Sequence, residues 1–526
     1  MALQFPSWLK SQPMVQCLHL DLPFPHLNDN TADLDRLVRA IKQEGYAPLA
    51  LSPTQIPRWT RSIRSGDFKV SVQLGYNGMN WEILEVAPGL EEKPPLAFAV
   101  DLGTTRLCFY LLDLGTGQVL ERASEANPQI IHGEDILTRI LFARDAQNLL
   151  ELQSLVRETF NQTLQTMLQR NGYSARQVFA LAVGGNTTMS HLFLGLDPTH
   201  ICREPYIPSV NRFPFYHASD LHLEVHPRAL VYLFPNVGSY FGGDLIAGII
   251  ASGMHRSTAT CLLVDVGTNA EVVMGNRDWL IACAGAAGPA LEGGVIERGM
   301  MASQGAIDRI RIDPESLEVD YHVIGEEKPK GICGSGVIDL IAEMFMAGIL
   351  TIQGKINTRL DSPRIVTSTD VPSYIIVFAD QTADGQDLMI SEIDVGIFLK
   401  SKAAMYTILT VIANKVGLSF HDLDRFYVAG TFGNFIDPAM AIRIGMLPDL
   451  PLEVYHGLHD TVGLGAAMLL LDRSLLADVE QVCDRITYVE LNVNMELMNE
   501  FRGALFLPHT DPKLFPSVSI PERAFG

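Results

Sequence analysis

The sequence lacks any cysteine pattern that would hold a metal cluster. Its seven cysteines are scattered, and no two of them form a C-x-x-C pair. This spacing argues against a structural zinc site and against a cysteine-ligated iron–sulfur cluster. It fits a reducing compartment, in which small buried thiols stay reduced.

Long hydrophobic runs and excess positive charge are also missing. No apolar run approaches the ~18 residues of a membrane span, and the N-terminus MALQFPSWLK lacks the charged-then-apolar order of a signal peptide. With 39 Lys and Arg against 60 Asp and Glu, the formal net charge is −21. We therefore expect a cytoplasmic protein whose main partner is neither nucleic acid nor a membrane surface.

Residues 97–120 contain the first stretch that suggests chemistry. They read AFAVDLGTTRLCFYLLDLGTGQVL, which predicts a strand, a polar turn with Gly103, Thr104 and Thr105, and two further strands. A glycine lets the backbone approach a ligand, hydroxyls and amides bind phosphate oxygens, and the carboxylate of Asp101 can hold a hydrated Mg²⁺. Taken alone, the stretch is equally well an ordinary hairpin turn.

The same pattern returns at residues 262–282. They read LLVDVGTNAEVVMGNRDWLIA, with Asp265, Gly267, Thr268 and Asn269 at the first turn. Two matching hairpins that each contain Asp-x-Gly-Thr predict two similar lobes with facing phosphate loops.

The length of 526 residues exceeds what one hydrophobic core usually supports, so we predict several domains. The predicted divisions are a tail at 1–17, a small α+β domain for docking or dimerisation at 18–94, a first lobe at 95–260, and a second lobe at 261–526 with an insertion near 352–390. The small domain carries no site chemistry. A homodimer is compatible with this organisation.

Three further glycine-rich turns lie at predicted starts of helices. In VGSYFGGDLIAG, Asp244 could hold or deprotonate an attacking hydroxyl or water, or it could cap its helix. Backbone amides in KGICGSGVIDL are a second candidate for nucleotide contact, and the strand end in AGTFGN can admit a purine and its ribose. The residues concerned are Gly334, Ser335, Gly336, Gly430, Thr431, Phe432 and Gly433.

The order of these parts resembles the superfamily of actin, the heat-shock chaperone ATPase and the sugar kinases. Within it, the phrases AVDLGTT, NPQIIHGEDILTRI, GGNTTMSHLFLG, GGDLIAG, DVGTNAE, AGPALEGG, GICGSGVIDLIAE and AGTFGN resemble the ATP-dependent reductive activators of corrinoid proteins. The resemblance implies an α/β, two-lobed actin-like ATPase fold with duplicated ribonuclease-H-like subdomains behind a small α+β domain.

The resemblance also implies roles for particular residues. Asp101 with Gly103, Thr104 and Thr105 would form the first phosphate loop, and Asp265 with Gly267, Thr268 and Asn269 the second. Both aspartates would bind Mg²⁺ at the catalytic centre, Gly430 and its neighbours would contact adenosine, and Asp244 would act as the base. The implied ligands are ATP and Mg²⁺.

Members of that family hydrolyse ATP to drive an electron into cob(II)alamin, which restores cob(I)alamin on a corrinoid protein of a methyltransferase system. Relatives carry a ferredoxin-like domain with a two-iron cluster ahead of the small domain. This sequence has no C-x₄-C-x₂-C pattern, so we expect no iron–sulfur cluster and a separate ferredoxin-like or flavodoxin-like reductant. The alternatives are a small-molecule kinase and a non-redox, ATP-gated regulatory or chaperone-like module.

Overall fold

The structure, a computed structural model, describes residues 3–90, 94–267, 269–286, 296–367, 370–430, 436–489 and 495–525. By their internal contacts the residues form two compact units. Unit 1 is Met1–Gly253 with Thr461–Arg485, and unit 2 is Met254–Asp460 with Ile486–Gly526.

Unit 1 begins with a small α+β domain. Its elements are β1 (Val15–Asp21), α1 (Asp33–Gln43), β2 (Leu49–Ala50), α2 (Ile56–Ser65), β3 (Lys69–Tyr76) and β4 (Trp81–Pro88). The sheet has the order β1-β3-β4-β2, and both helices bury apolar side chains in one core with the strands. β3 and β4 pair antiparallel around a turn where Gly78 has a φ of +89°.

The remainder of unit 1 is built on a second sheet. Its elements are β5 (Leu96–Leu102), β6 (Arg106–Asp113), β7 (Gln118–Ala126), α3 (Ile136–Phe142), α4 (Ala146–Arg170), β8 (Val178–Gly185), α5 (Thr187–Leu194), β9 (Tyr216–His217), β10 (Leu230–Leu233) and α6 (Gly243–Ser252). The strand order is β7-β6-β5-β8-β10-β9. All eight residues of β8 are buried, as expected for a central strand of a sheet covered on both faces.

The other elements lie after residue 254, and all of them belong to unit 2 except the two helices within Thr461–Arg485, which belong to unit 1. They are β11 (Cys261–Val266), β12 (Asn269–Gly275), β13 (Leu280–Ala286), β14 (Ala306–Ile312), β15 (Val319–Val323), β16 (Gly331–Ile332), α7 (Gly334–Met346), β17 (Ile365–Val366), β18 (Ser373–Val377), β19 (Leu388–Ser391), α8 (Glu392–Lys415), β20 (Arg425–Ala429), α9 (Pro438–Arg443), β21 (Tyr455–Gly457), α10 (Thr461–Leu471), α11 (Leu475–Arg485), β22 (Ile486–Tyr488) and α12 (Met495–Ala504).

The main sheets of the two units repeat one topology. In unit 1 the order β7-β6-β5-β8-β10 joins an antiparallel meander to two parallel strands. In unit 2 the order β13-β12-β11-β20-β21 has the same directions. The paired hairpins predicted two similar lobes and the resemblance implied duplicated ribonuclease-H-like subdomains, and the repeated topology confirms this duplication.

Two differences from the predicted divisions have packing reasons. The predicted tail at 1–17 is part of the fold at its end, because Met14 and Val15 are buried and Val15 begins β1, which pairs with β3. Residues 461–485 belong to unit 1 because α10 packs on β5, β8 and α6. A Cβ atom on Gly465 would lie 2.2 Å from the carbonyl oxygen of Ala247, so α10 and α6 touch at the backbone.

One helix of the described residues, α8, is long and apolar enough to cross a membrane by length and composition. Of its most apolar window, 72% is buried inside the protein. Its apolar composition therefore follows from its place in the core of unit 2.

Candidate functional site

The first predicted phosphate loop is the turn between β5 and β6. Asp101 is the last residue but one of β5, where it lies opposite Cys108 of β6 and Gly184 of β8. A Cβ atom on Gly103 would lie 2.4 Å from the carbonyl oxygen of Arg106, so only glycine fits there. Thr104 is half-buried and Thr105 is exposed.

Three consecutive carbonyl groups of this loop accept hydrogen bonds from one neighbouring segment. Asn127 Nδ2 donates to the Gly103 oxygen at 2.8 Å, Arg139 Nη2 donates to the Thr104 oxygen at 2.7 Å, and the Asn127 amide donates to the Thr105 oxygen at 2.8 Å. Within the described ranges, no protein group accepts the backbone N–H of Thr104 or Thr105. These two amides are therefore available to an anion.

The end of β8 borders the same loop. Asn186 caps α5 by accepting the Met189 amide at 2.9 Å, and its Nδ2 atom lies 3.0 Å from Thr104 Oγ1. A Cβ atom on Gly185 would lie 2.9 Å from the Leu102 carbonyl oxygen. This strand, its glycine end and the helix that follows bring a polar side chain against the first loop.

Asp244 lies beside this corner, in the first turn of α6. The helix cap is Gly242, so the capping role considered for Asp244 is wrong. Its Oδ1 atom accepts the Leu245 amide at 2.8 Å, and burial raises the pKa of the carboxyl to about 6. A Cβ atom on Gly242 would lie 2.3 Å from Asn186 Cα, which places the start of α6 directly against the end of β8.

Asp244 is thus suited to proton transfer. No Lys or Arg of the described part of the chain pairs with it, and its pKa lies close to neutral pH. A carboxylate of that pKa can accept a proton from water or a hydroxyl near neutral pH. Unit 1 therefore gathers a strand-end carboxylate, two free amides and a candidate base at the carboxyl ends of β5 and β8.

The second loop repeats the first in unit 2. Asp265 is the last residue but one of β11 and lies opposite Glu271 of β12 and Ala429 of β20. Its strand position matches that of Asp101. Gly267 follows the strand, whereas Thr268 and the side chain of Asn269 lie outside the described residues.

Gly430 follows β20 beside this aspartate. It has a φ of +79°, and a Cβ atom there would lie 2.6 Å from Asp265 Oδ1. The structure therefore brings together one residue of the predicted adenosine turn and the predicted Mg²⁺ ligand of unit 2. Thr431, Phe432 and Gly433 lie outside the described residues.

The glycine turn before α7, in the stretch KGICGSGVIDL, has a structural role. Ser335 Oγ donates to the Asp308 carbonyl oxygen at 3.1 Å, and a Cβ atom on Gly336 would lie 2.4 Å from the Ile307 carbonyl oxygen. Both residues thus seat α7 on β14. Gly334 is half-buried at the start of α7, so any nucleotide contact here would be made by backbone amides of the first helical turn.

Comparison with known proteins matches nearly the whole chain. Family models described as the RACo linker region, the RACo middle region and the C-terminal domain of RACo, the ASKHA domain, match residues 9–93, 96–257 and 259–519. The solved structure of a reductive activator for corrinoid, iron–sulfur protein is 35% identical with a TM-score of 0.88, covering 98% of this chain and 82% of that one.

Two curated relatives are similar over most of their length. The corrinoid activation enzyme RamQ of Eubacterium limosum is 30% identical over 428 residues, which are 80% of this chain and 72% of the relative. The Co(II) methylated amine-specific corrinoid protein reductase of Methanosarcina barkeri is 25% identical over 437 residues, which are 77% of this chain and 75% of the relative. The predicted resemblance is confirmed.

Proposed function

This chain belongs to the RACo family, and we propose that it binds and hydrolyses ATP to drive the reduction of cob(II)alamin to cob(I)alamin on a corrinoid methyl-transfer protein. Two relatives are named for corrinoid activation and for reduction of a Co(II) corrinoid protein. Their similarity supports the same substrate class for this chain.

The observation that carries the ATP site is the repeated strand-end geometry. Asp101 and Asp265 hold the same position in two sheets of one topology, and each is followed by a glycine turn. Carboxylate oxygens are ligands that Mg²⁺ prefers, and free amides suit phosphate. The first loop therefore fits phosphate and Mg²⁺, and the matching strand-end position of Asp265 fits a Mg²⁺ ligand in unit 2.

The chain's own residues then have distinct tasks. Asp101 and Asp265 would hold Mg²⁺, which neutralises charge on the phosphates when bound. The Thr104 and Thr105 amides bind phosphate oxygens, and Asp244 accepts the proton of the attacking water. Turnover of the nucleotide can change the affinity of this protein for a corrinoid partner only if the nucleotide binds one conformation of the protein more tightly than another.

The electron comes from another protein in this proposal. Reduction of Co(II) to Co(I) consumes one electron, which a ferredoxin-like or flavodoxin-like protein supplies. The reaction takes place in the cytoplasm. The small domain at 18–94 serves docking or homodimerisation.

The test follows cob(II)alamin by its absorbance on a corrinoid protein, with the reductant protein and Mg²⁺·ATP. Conversion to cob(I)alamin that requires ATP and this chain supports the proposal, and Asp265→Asn is the inactive control. ATP turnover that rises with the corrinoid protein but never yields cob(I)alamin points to a non-redox gate instead.

A small-molecule kinase is the second candidate because Asp244 has the near-neutral pKa of a base for a hydroxyl. It makes a separate prediction. If ATP turnover does not respond to corrinoid proteins, rises with a small polyol and yields a phosphorylated product, the kinase function replaces the first proposal.

A further inference from the structure

Arg139 is a fully buried cation beneath the first phosphate loop. It lies on α3, and its guanidinium donates to the Gly133 oxygen at 2.8 Å, the Thr104 oxygen at 2.7 Å and Gln129 Oε1 at 3.3 Å. A fourth contact reaches Met189 Sδ at 3.4 Å. All four acceptors are uncharged.

The positive charge of Arg139 has no paired carboxylate among the residues that the structure describes. Burial lowers its pKa to about 10, which still leaves it charged at neutral pH, and Asp135 acts on it only through space. The Asp135 carboxylate is engaged with the Thr138 amide at 2.9 Å and with Thr138 Oγ1 at 2.7 Å. Burying an unpaired charge is costly, so an anion close to Arg139 would be stabilised by it.

Peptide geometry connects this cation to the loop's amides. In a trans peptide the carbonyl of one residue and the N–H of the next point in opposite directions. Because Arg139 holds the Thr104 carbonyl, it directs the Thr105 N–H away from α3. Asn127 holds the Gly103 carbonyl in the same way and directs the Thr104 N–H.

We propose that Arg139 is a positioning residue for phosphate binding, which fixes the Thr105 amide toward the nucleotide and supplies buried positive charge behind the loop. This inference rests on the proposed ATP site. We expect the effect to be specific to the phosphates, because adenosine has no anionic group for the Thr105 amide or the Arg139 cation to bind.

The test compares Arg139→Gln and Arg139→Lys with wild type by calorimetric titration of ATP and of adenosine. Arg144→Gln is the matched control, because Arg144 lies on the same segment and is exposed. We expect Arg139→Gln to weaken ATP binding at least tenfold and to leave adenosine binding unchanged. Arg139→Lys keeps the charge but loses the planar donor set, so we expect an intermediate ATP affinity.

A purely structural role predicts other results. Equal ATP affinity in Arg139→Gln and Arg144→Gln overturns the inference, and so does a parallel loss of ATP and adenosine binding. If Arg139→Gln fails to fold by circular dichroism, Arg139→Lys decides, and wild-type ATP affinity in that variant overturns the inference. If Arg139→Gln loses ATP binding but keeps adenosine binding, while the wild-type protein hydrolyses no ATP, the proposed function is contradicted and the inference stands.

Discussion

A Cβ atom on Gly430 would lie 2.6 Å from Oδ1 of Asp265, so the backbone after β20 lies directly on the carboxylate that ends β11. The first sheet has a similar close approach, where a Cβ atom on Gly185 would lie 2.9 Å from the Leu102 carbonyl oxygen. The neighbouring parallel strand of the first sheet, β8, ends on Gly185, and that of the second sheet, β20, is followed directly by Gly430. A side chain at either glycine would displace the strand-end aspartate or the turn that follows it.

Gly430→Ala should weaken nucleotide binding and also destabilise unit 2. The left-handed φ of +79° alone costs an alanine about 1 kcal/mol, and the contact with Asp265 adds to this cost. Gly417→Ala is the control, because Gly417 has a φ of +68° with nothing within 4 Å of its Cβ position. Chemical unfolding and ATP titration measure both effects, and equal behaviour of the two variants would contradict the prediction.

Asp265→Asn should abolish Mg²⁺-dependent ATP binding while the fold stays intact. The amide keeps the size of the side chain but removes the charge that holds the cation. Titration of ATP with and without Mg²⁺ measures the loss. Asp278→Asn changes an exposed aspartate of the same unit and should bind as wild type does. Unchanged Mg²⁺-dependent binding in Asp265→Asn would remove the proposed phosphate site.

Asp244→Asn should lower kcat for ATP hydrolysis by about 10² to 10⁴, with little change in KM, because it removes a general base and no binding contact. In wild type, kcat should rise with pH up to about 6 and then level off, as the base must be ionised to act. Steady-state ATPase assays from pH 5 to 8 give both results. A flat wild-type profile across pH 6 would exclude Asp244 as the base.

The same carboxyl predicts how stability depends on pH. Its pKa is about 6 in the fold against an ordinary value of 3.8, so the folded state holds the proton more tightly. Stability should therefore fall as pH rises from about 4 to about 6. Asp244→Asn should be the more stable protein by roughly 1 to 3 kcal/mol at pH 8, with no difference at pH 4. Urea unfolding at both pH values checks the sign.

The sequence was informative where a local pattern carries the structure. The hairpins with Asp101 and Asp265 were predicted from apolar runs broken by glycine, and both are present. Their repetition was enough to predict the duplicated sheets, because each strand–turn–strand unit is complete within about 25 residues. The small helix α2 was not predicted, although its apolar contacts, Trp59 and Ile63, lie four residues apart.

Contacts that join distant parts of the chain could not be predicted from the sequence. The bond from Arg139 to Thr104 spans 35 residues, and LTRI reads as an ordinary surface helix. The small residues around Gly465 predict close packing, but only the structure shows α6 as the partner. Asp244 was identified from its place after two glycines, whereas its raised pKa depends on burial by elements that no local pattern specifies.

Lys402 also makes long-range hydrogen bonds that no pattern in the sequence predicts. It is fully buried on α8, and its Nζ atom donates to the carbonyl oxygens of Ala504, Phe506 and Pro508 at 2.6 to 2.7 Å. Three acceptors match the three donors of an ammonium group. Lys402 therefore holds the chain after α12 against the core of unit 2.

Lys402→Met should destabilise the protein by about 3 to 5 kcal/mol, because it leaves three buried carbonyls without donors. Hydrogen exchange should also quicken at residues 504–508, since these lose their attachment to α8. Lys400→Met is the matched control, as Lys400 is exposed on the same helix and its loss should change stability by less than about 0.5 kcal/mol. Equal unfolding midpoints for the two variants would show that the three carbonyls find other donors, and that the end of the chain is held by its apolar contacts alone.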